Sequence, residues 1–162
     1  MSLSLQEISL TVNGEPMRES VEPRQSLVDF LREQLGLTGS HVGCEQGVCG
    51  ACNVRVDGIV VRGCLMLAVQ CDGARVDTIE GVSDAGEVAD LQAAFAARNA
   101  LQCGYCTPGV LLTATELLAR GGVPTRDAIR AHMSGNYCRC TGYHAIVDAI
   151  EATARKRAGT QP

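Results

Sequence analysis

The chain has 162 residues and a formal net charge of −4; 46% of it is hydrophobic, only 3% aromatic, and there is no tryptophan. That length suits one domain or two small ones, and the acidic balance argues against a nucleic-acid binder, which would present a basic face. No stretch approaches the ~18 apolar residues of a membrane span, and the opening MSLSLQEISLTV has no basic region, apolar run or twin arginine, so the expected location is cytoplasmic.

In chain order, Ile8, Leu10 and Val12 alternate with Ser9 and Thr11, and Asn13-Gly14 supplies a turn, the pattern of a strand entering a hairpin. Ser26 precedes LVDFLREQL, which predicts a short amphipathic helix with Leu27, Phe30, Leu31 and Leu35 on one face and Gly36 to end it. Glycine-rich sequence runs from Gly39 to Cys52. Val54-Arg55-Val56, Asp57-Gly58 and Ile59-Val60-Val61 read as a second hairpin, and Arg75 to Ile79 as a further strand. This predicts a small β-rich domain over 1–80. Residues 81–90 (GVSDAGEVAD), small, acidic and poor in apolar side chains, read as a linker. Helical patterns follow at 88–99, 108–120, 125–133 and 143–156, within a second domain over 91–158. Thr107-Pro108 opens the second of these and Gly121-Gly122 closes it. The polar, basic tail from Arg155 is expected to fray, and no internal repeat is visible. The fold class is α+β.

Nine cysteines dominate this composition. In a reducing compartment metal binding outweighs a disulfide framework, and an odd count fits pairing poorly. Two small domains with few aromatics would be marginal on burial alone, and metal crosslinks would add stability. Cys44, Cys49 and Cys52 are separated by four and two residues, and Cys64 follows after eleven, the C-x4-C-x2-C…C arrangement of a plant-type 2Fe–2S site. Such a cluster with its thiolates carries a formal charge of about −2, falling to about −3 on reduction, so the loop must offer N–H donors to sulfur. Gly43, Gly47 and Gly50 free the backbone for close approach and positive φ. Zinc is usually held by two short Cys-x2-Cys knuckles, and the four-residue spacing with three glycines fits that poorly.

Cys103-x2-Cys106 and Cys138-x-Cys140 form a second group, 31 residues apart. By spacing alone a four-cysteine zinc site remains open, as does a thioredoxin-like Cys-x2-Cys, although no βαβ pattern surrounds it. Cys106 and Cys140 each precede a predicted helix, where free N–H groups and the positive dipole end favour an anionic cluster. Cys71 belongs to neither group and reads as a small buried residue. His41, His132 and His144 read as surface or capping residues, since neither His41 nor His144 has the Cys-x-His spacing of a Rieske centre and His132 lies within a helical pattern.

GCEQGVCGAC, ALQCGYCTPG and NYCRCTGY resemble the three cysteine motifs of the iron–sulfur subunits of the xanthine dehydrogenase and aldehyde oxidase molybdenum hydroxylases. Members with separate subunits, such as the small subunit of aerobic carbon monoxide dehydrogenase, look most alike. The resemblance covers about residues 5 to 156, and all eight expected cysteines are present in order. It implies a β-grasp ferredoxin-like domain followed by a four-helix domain. It also implies one 2Fe–2S cluster on Cys44, Cys49, Cys52 and Cys64, nearer a flavin, and another on Cys103, Cys106, Cys138 and Cys140, nearer molybdenum. Gln102 matches a glutamine that contacts the pterin, and Cys140 matches the ligand closest to it. The implied partners are a large subunit with molybdopterin and a medium subunit with FAD, in a dimer of heterotrimers. Asn53 stands where threonine is common and Arg62-Gly63 where serine often precedes the fourth cysteine; either change could tune cluster potential through hydrogen bonding.

The chain shows no GxGxxG loop, no nucleophile–base pair and no spare length for a pterin or flavin domain, so no substrate-binding active site is expected on it. The leading expectation is an electron-transfer subunit of a multi-subunit oxidoreductase. A free-standing ferredoxin would leave the second half of the chain unexplained, and a zinc-stabilised interaction module would be colourless rather than red-brown.

Overall fold

The computed structural model describes residues 4–159. Strand β1 (Gln6–Val12) turns through Asn13 and Gly14, at φ 51° and 86°, into antiparallel β2 (Glu15–Val21). Positive φ at both central positions makes a hairpin turn whose twist matches the strands it joins. Asp57 and Gly58, at φ 48° and 84°, connect β3 (Asn53–Val56) to β4 (Ile59–Arg62) in the same way. Strand β5 (Arg75–Asp77) lies parallel to β1 and antiparallel to β3, giving one five-stranded sheet in the order β2-β1-β5-β3-β4.

Helix α1 (Leu27–Asp29) starts at Ser26, whose hydroxyl accepts the Asp29 N–H at 3.2 Å, and widens into a π-turn over Phe30–Gln34. Gly36, at φ 68°, lets the chain leave it. Leu27, Phe30 and Leu31 are buried in one core with Ile8, Leu10, Val12, Val54 and Val76; Leu35 lies at its margin. Burying each such side chain contributes roughly 1.5–3 kcal/mol before the cost of ordering it. Cys71 ends a 3₁₀ turn (Ala68–Cys71) inside this core.

A second core belongs to the helices. Leu91 and Phe95 come from α3 (Ala89–Ala97), Leu112 from α4 (Thr107–Leu118), Ile129 from α5 (Arg126–Met133), and Ile146 and Ile150 from α6 (His144–Arg157). Pro108 in the first turn of α4 and Thr125, whose Oγ1 accepts the Ala128 N–H at 3.2 Å, mark two of the starts.

Two expectations are corrected. The strand expected over Arg75 to Ile79 stops at Asp77, because Ile79 opens a helix, α2 (Ile79–Asp84), within a segment that overlaps the expected linker. Ile79 and Val82, three residues apart, drop into the helical core. Where the tail was expected to fray from Arg155, α6 continues to Arg157, which donates from Nη2 to Asp90 Oδ1 at 2.8 Å, and Arg155 bonds Glu151 at 2.8 Å; residues 160–162 of that tail lie outside the described residues. Among the described residues, no helix is long and apolar enough to cross a membrane.

Candidate metal centres

Cys44, Cys49 and Cys52 lie on the loop that leads into β3, and Cys64 lies just past β4. The loop coils through left-handed residues at Glu45, Gly47 and Gly50, with φ of 53°, 78° and 73°. Gly43, expected to do the same, has no positive φ; a Cβ there would instead sit 3.1 Å from Cys49 Sγ, so its role is close approach. The coiling aims backbone donors inward: Gln46 N–H and Cys49 N–H both point at Cys44 Sγ, at 3.4 Å. These donors pull the Cys44 thiol down to about 6, with the Gln46 N–H contributing most. Burial pushes Cys52 up to about 11. Side-chain contacts pair Cys44 with Cys49 and Cys52 with Cys64.

The second group also forms pairs. Cys140 Sγ lies 3.5 Å from Cys103 Sγ, and Cys106 contacts Cys138. Cys106 is the N-cap residue of α4, as expected. Cys140 is not at a helix end, since α6 begins only at His144 after a left-handed Tyr143 (φ 69°). Side chains serve this loop instead. Thr141 Oγ1 donates to Cys138 Sγ at 3.1 Å, while Tyr143 OH accepts the Cys138 N–H at 2.8 Å and donates to Asn136 O at 3.1 Å. Burial pushes the Cys138 thiol up, but the Thr141 hydroxyl and neighbouring backbone donors outweigh it and leave it lowered. Burial takes Cys106 up to about 12, and contact with Cys103 raises Cys140. Thr141 and Tyr143 sit in the quoted NYCRCTGY motif, yet their roles depend on a loop shape that spacing does not encode.

Pairing matters for what the thiols can hold. A lone zinc needs its donors around one point at about 2.3 Å. Thiols set two and two suit a centre with two metal ions, each held by one pair, and the N–H and O–H groups aimed at sulfur suit an anionic one.

The two groups meet along a seam between the sheet and the helices. Tyr137 N–H, next in chain to Cys138, donates to Cys49 O at 2.8 Å. Asn53 Nδ2 donates to Thr113 Oγ1 at 2.8 Å. The His41 ring stacks on Tyr105 at 4.5 Å, its Nδ1 lies 2.8 Å from Tyr105 O, and Tyr105 OH donates to Val42 O at 2.7 Å. A methyl group on Gly109 of α4 would overlap the Gly50 carbonyl oxygen, so backbone packs on backbone there.

Gln102, Cys103 and Cys140 are all exposed. Cys71 is fully buried away from both groups, and burial pushes its thiol up to about 11. His132 Nε2 lies 3.1 Å from Thr113 O and His144 is exposed at the start of α6.

A family profile described as a 2Fe-2S iron-sulfur cluster binding domain matches residues 10–79, and one described as a [2Fe-2S] binding domain matches residues 78–151. The nicotine 6-hydroxylase small subunit of Paenarthrobacter nicotinovorans is 49% identical over 144 residues, 89% of this chain and 87% of that protein. The aldehyde oxidoreductase of Megalodesulfovibrio gigas is 44% identical over 156 residues, covering 94% of this chain but 17% of that longer protein. Among solved structures, a chain of quinoline 2-oxidoreductase from Pseudomonas putida 86 superposes with a TM-score of 0.89 at 50% identity, covering 98% of this chain and 99% of that one.

Proposed function

The chain belongs to the iron–sulfur subunits of the molybdenum hydroxylases, and on that premise we propose how its residues divide the work of an electron relay. Cys44, Cys49, Cys52 and Cys64 hold one 2Fe–2S cluster, and Cys103, Cys106, Cys138 and Cys140 hold the other. Each cluster supplies a one-electron couple. The thiol pairing would offer each iron two protein ligands: Cys44 with Cys49, Cys52 with Cys64, Cys103 with Cys140, and Cys106 with Cys138.

The observation that carries the reading is the Tyr137 N–H to Cys49 carbonyl bond. It ties a residue adjoining the second cysteine group to a member of the first, so the groups are joined by covalent bonds and one hydrogen bond. A carrier with one cluster has no use for that link. The named relatives include a nicotine 6-hydroxylase, a caffeine dehydrogenase and aldehyde oxidoreductases, which supports a function common to all of them rather than substrate choice.

Molybdopterin on a large partner subunit lies against the exposed Gln102, Cys103 and Cys140, with Gln102 able to donate to it and accept from it. FAD on a medium subunit lies toward the Cys44–Cys49 loop. Val48 and Leu65, exposed apolar side chains on that loop and just after Cys64, are surface of the kind a subunit covers. Two such heterotrimers form the dimer. The test is iron and sulfide analysis with EPR after dithionite. About four irons and four sulfides per chain and two distinguishable signals are expected; half that iron, or zinc in the second group, would overturn the assignment.

A further inference from the structure

Arg62, the last residue of β4 and two residues before Cys64, bonds no thiol among the described residues, yet its guanidinium reaches both cysteine loops. Nε donates to Gly47 O at 3.0 Å, inside the loop between Cys44 and Cys49. Nη2 donates to Gly135 O at 2.7 Å, three residues before Cys138. Nη1 bonds Asn53 Oδ1, and the fully buried Asn53 passes the connection on through Nδ2 to Thr113 Oγ1 of α4. One planar fork therefore satisfies three acceptors on three separate segments, a geometry a lysine ammonium cannot reproduce.

Close by, the backbones leave no slack. A Cβ at Gly50 would lie 2.6 Å from Gly135 O, the same carbonyl that Arg62 holds. The Tyr137 N–H to Cys49 O link is two residues from that carbonyl and one residue from Gly50, so Arg62 clamps both ends of the only stretch where the two cysteine loops touch through their main chains among the bonds described.

We propose that Arg62 is a positioning residue of the electron relay, fixing the distance between the two cluster loops and placing a permanent positive charge beside both. It has two separable effects. The fork holds the Tyr137–Cys49 link closed, and so sets how strongly the two redox groups couple. The charge favours the more negative, reduced form of whichever group it faces, and so raises its potential. The transfer it positions moves one electron from one group to the other and makes or breaks no bond.

The inference rests on the two-cluster reading, and iron analysis of each variant keeps the two apart: iron missing from the unmutated chain defeats that reading, not this one. The variants are Arg62→Lys and Arg62→Met, in the full chain with its clusters loaded. Arg62→Lys keeps the charge and loses the fork. Its midpoint potentials should stay near those of the unmutated chain, while the magnetic interaction between the two reduced centres weakens and the Tyr137 amide exchanges at least 10-fold faster. Arg62→Met loses both, and should add a more negative midpoint potential for the centre in the sheet half. If Arg62→Met takes up full iron but shows unchanged potentials, spin–spin splitting and Tyr137 exchange, Arg62 is a surface contact and the proposal fails. If Arg62→Met does not fold, Arg62→Lys alone decides, through the splitting and the exchange rate.

Discussion

At the scale of single residues, the nine thiols separate by surroundings. Eight stand in pairs with donors or partner thiols facing them, seven of them at least partly exposed and Cys52 buried, whereas Cys71 is enclosed by aliphatic side chains of the sheet core, where among the described residues its Sγ reaches the Leu67 carbonyl at 3.9 Å. Cys71→Ala should therefore leave both EPR signals intact and cost about 1 kcal/mol in urea denaturation, the worth of one buried heavy atom. Cys49→Ala should remove the sheet-half signal and spare the other. Disappearance of a signal in the Cys71 variant would reverse the assignment. The eight cysteines were legible in the sequence because ligand spacing is local along the chain. Arg62-Gly63 stood out as a departure from the family pattern, but the contacts of Arg62, Thr141 and Tyr143 were not legible, because Arg62 acts on a carbonyl 73 positions away and Tyr143 acts from a left-handed backbone that its residue type does not announce.

Among elements, the hairpins and long helices were legible for the same reason their turns and caps work: Asn-Gly, Asp-Gly, Thr-Pro and Gly-Gly impose local dihedrals whatever lies around them. Helix α2 escaped because GVSDAGEVAD lacks the apolar stripe of a longer helix, and its two buried residues gain their value only from the helical core they reach. Helix α4 gives a test in which local and tertiary effects have opposite signs. Gly109→Ala raises intrinsic helix propensity by about 1 kcal/mol. The added methyl, however, meets the Gly50 carbonyl oxygen, which belongs to a main chain already held by Arg62 and Tyr137 nearby and cannot rotate away. A net loss of about 1–3 kcal/mol is expected by denaturation; a gain in stability would mean that the sheet and α4 are free to move apart.

For the molecule as a whole, the seam has a charged margin. Arg55 of β3 donates from both Nη atoms to Glu87, at 2.8 and 2.7 Å, and reaches Asp77 as well. The Arg55 guanidinium holds the Glu87 carboxyl below its ordinary range. A lowered carboxylate adds stability that is complete above the unfolded-state value near 4.3 and disappears as pH falls through the lower folded value. Glu87 is 42% exposed, so solvent screening limits the contribution to about 0.5–1 kcal/mol. Glu87→Gln should be less stable by that amount at pH 7, with the gap closing as pH falls below 4 in urea titrations followed by circular dichroism; a gap independent of pH would assign the loss to packing. The bare meeting of Gly50 and Gly109 bears on transplantation. A graft of the sheet half alone into another redox protein would carry a Gly50 carbonyl stripped of the Asn136 amide, an Asn53 amide without Thr113 and a guanidinium missing one of its three acceptors, all shaped for one particular neighbour. The exchangeable cassette for building hybrid enzymes is thus the whole two-part chain, cut outside β1 and α6 and never at the junction between its halves.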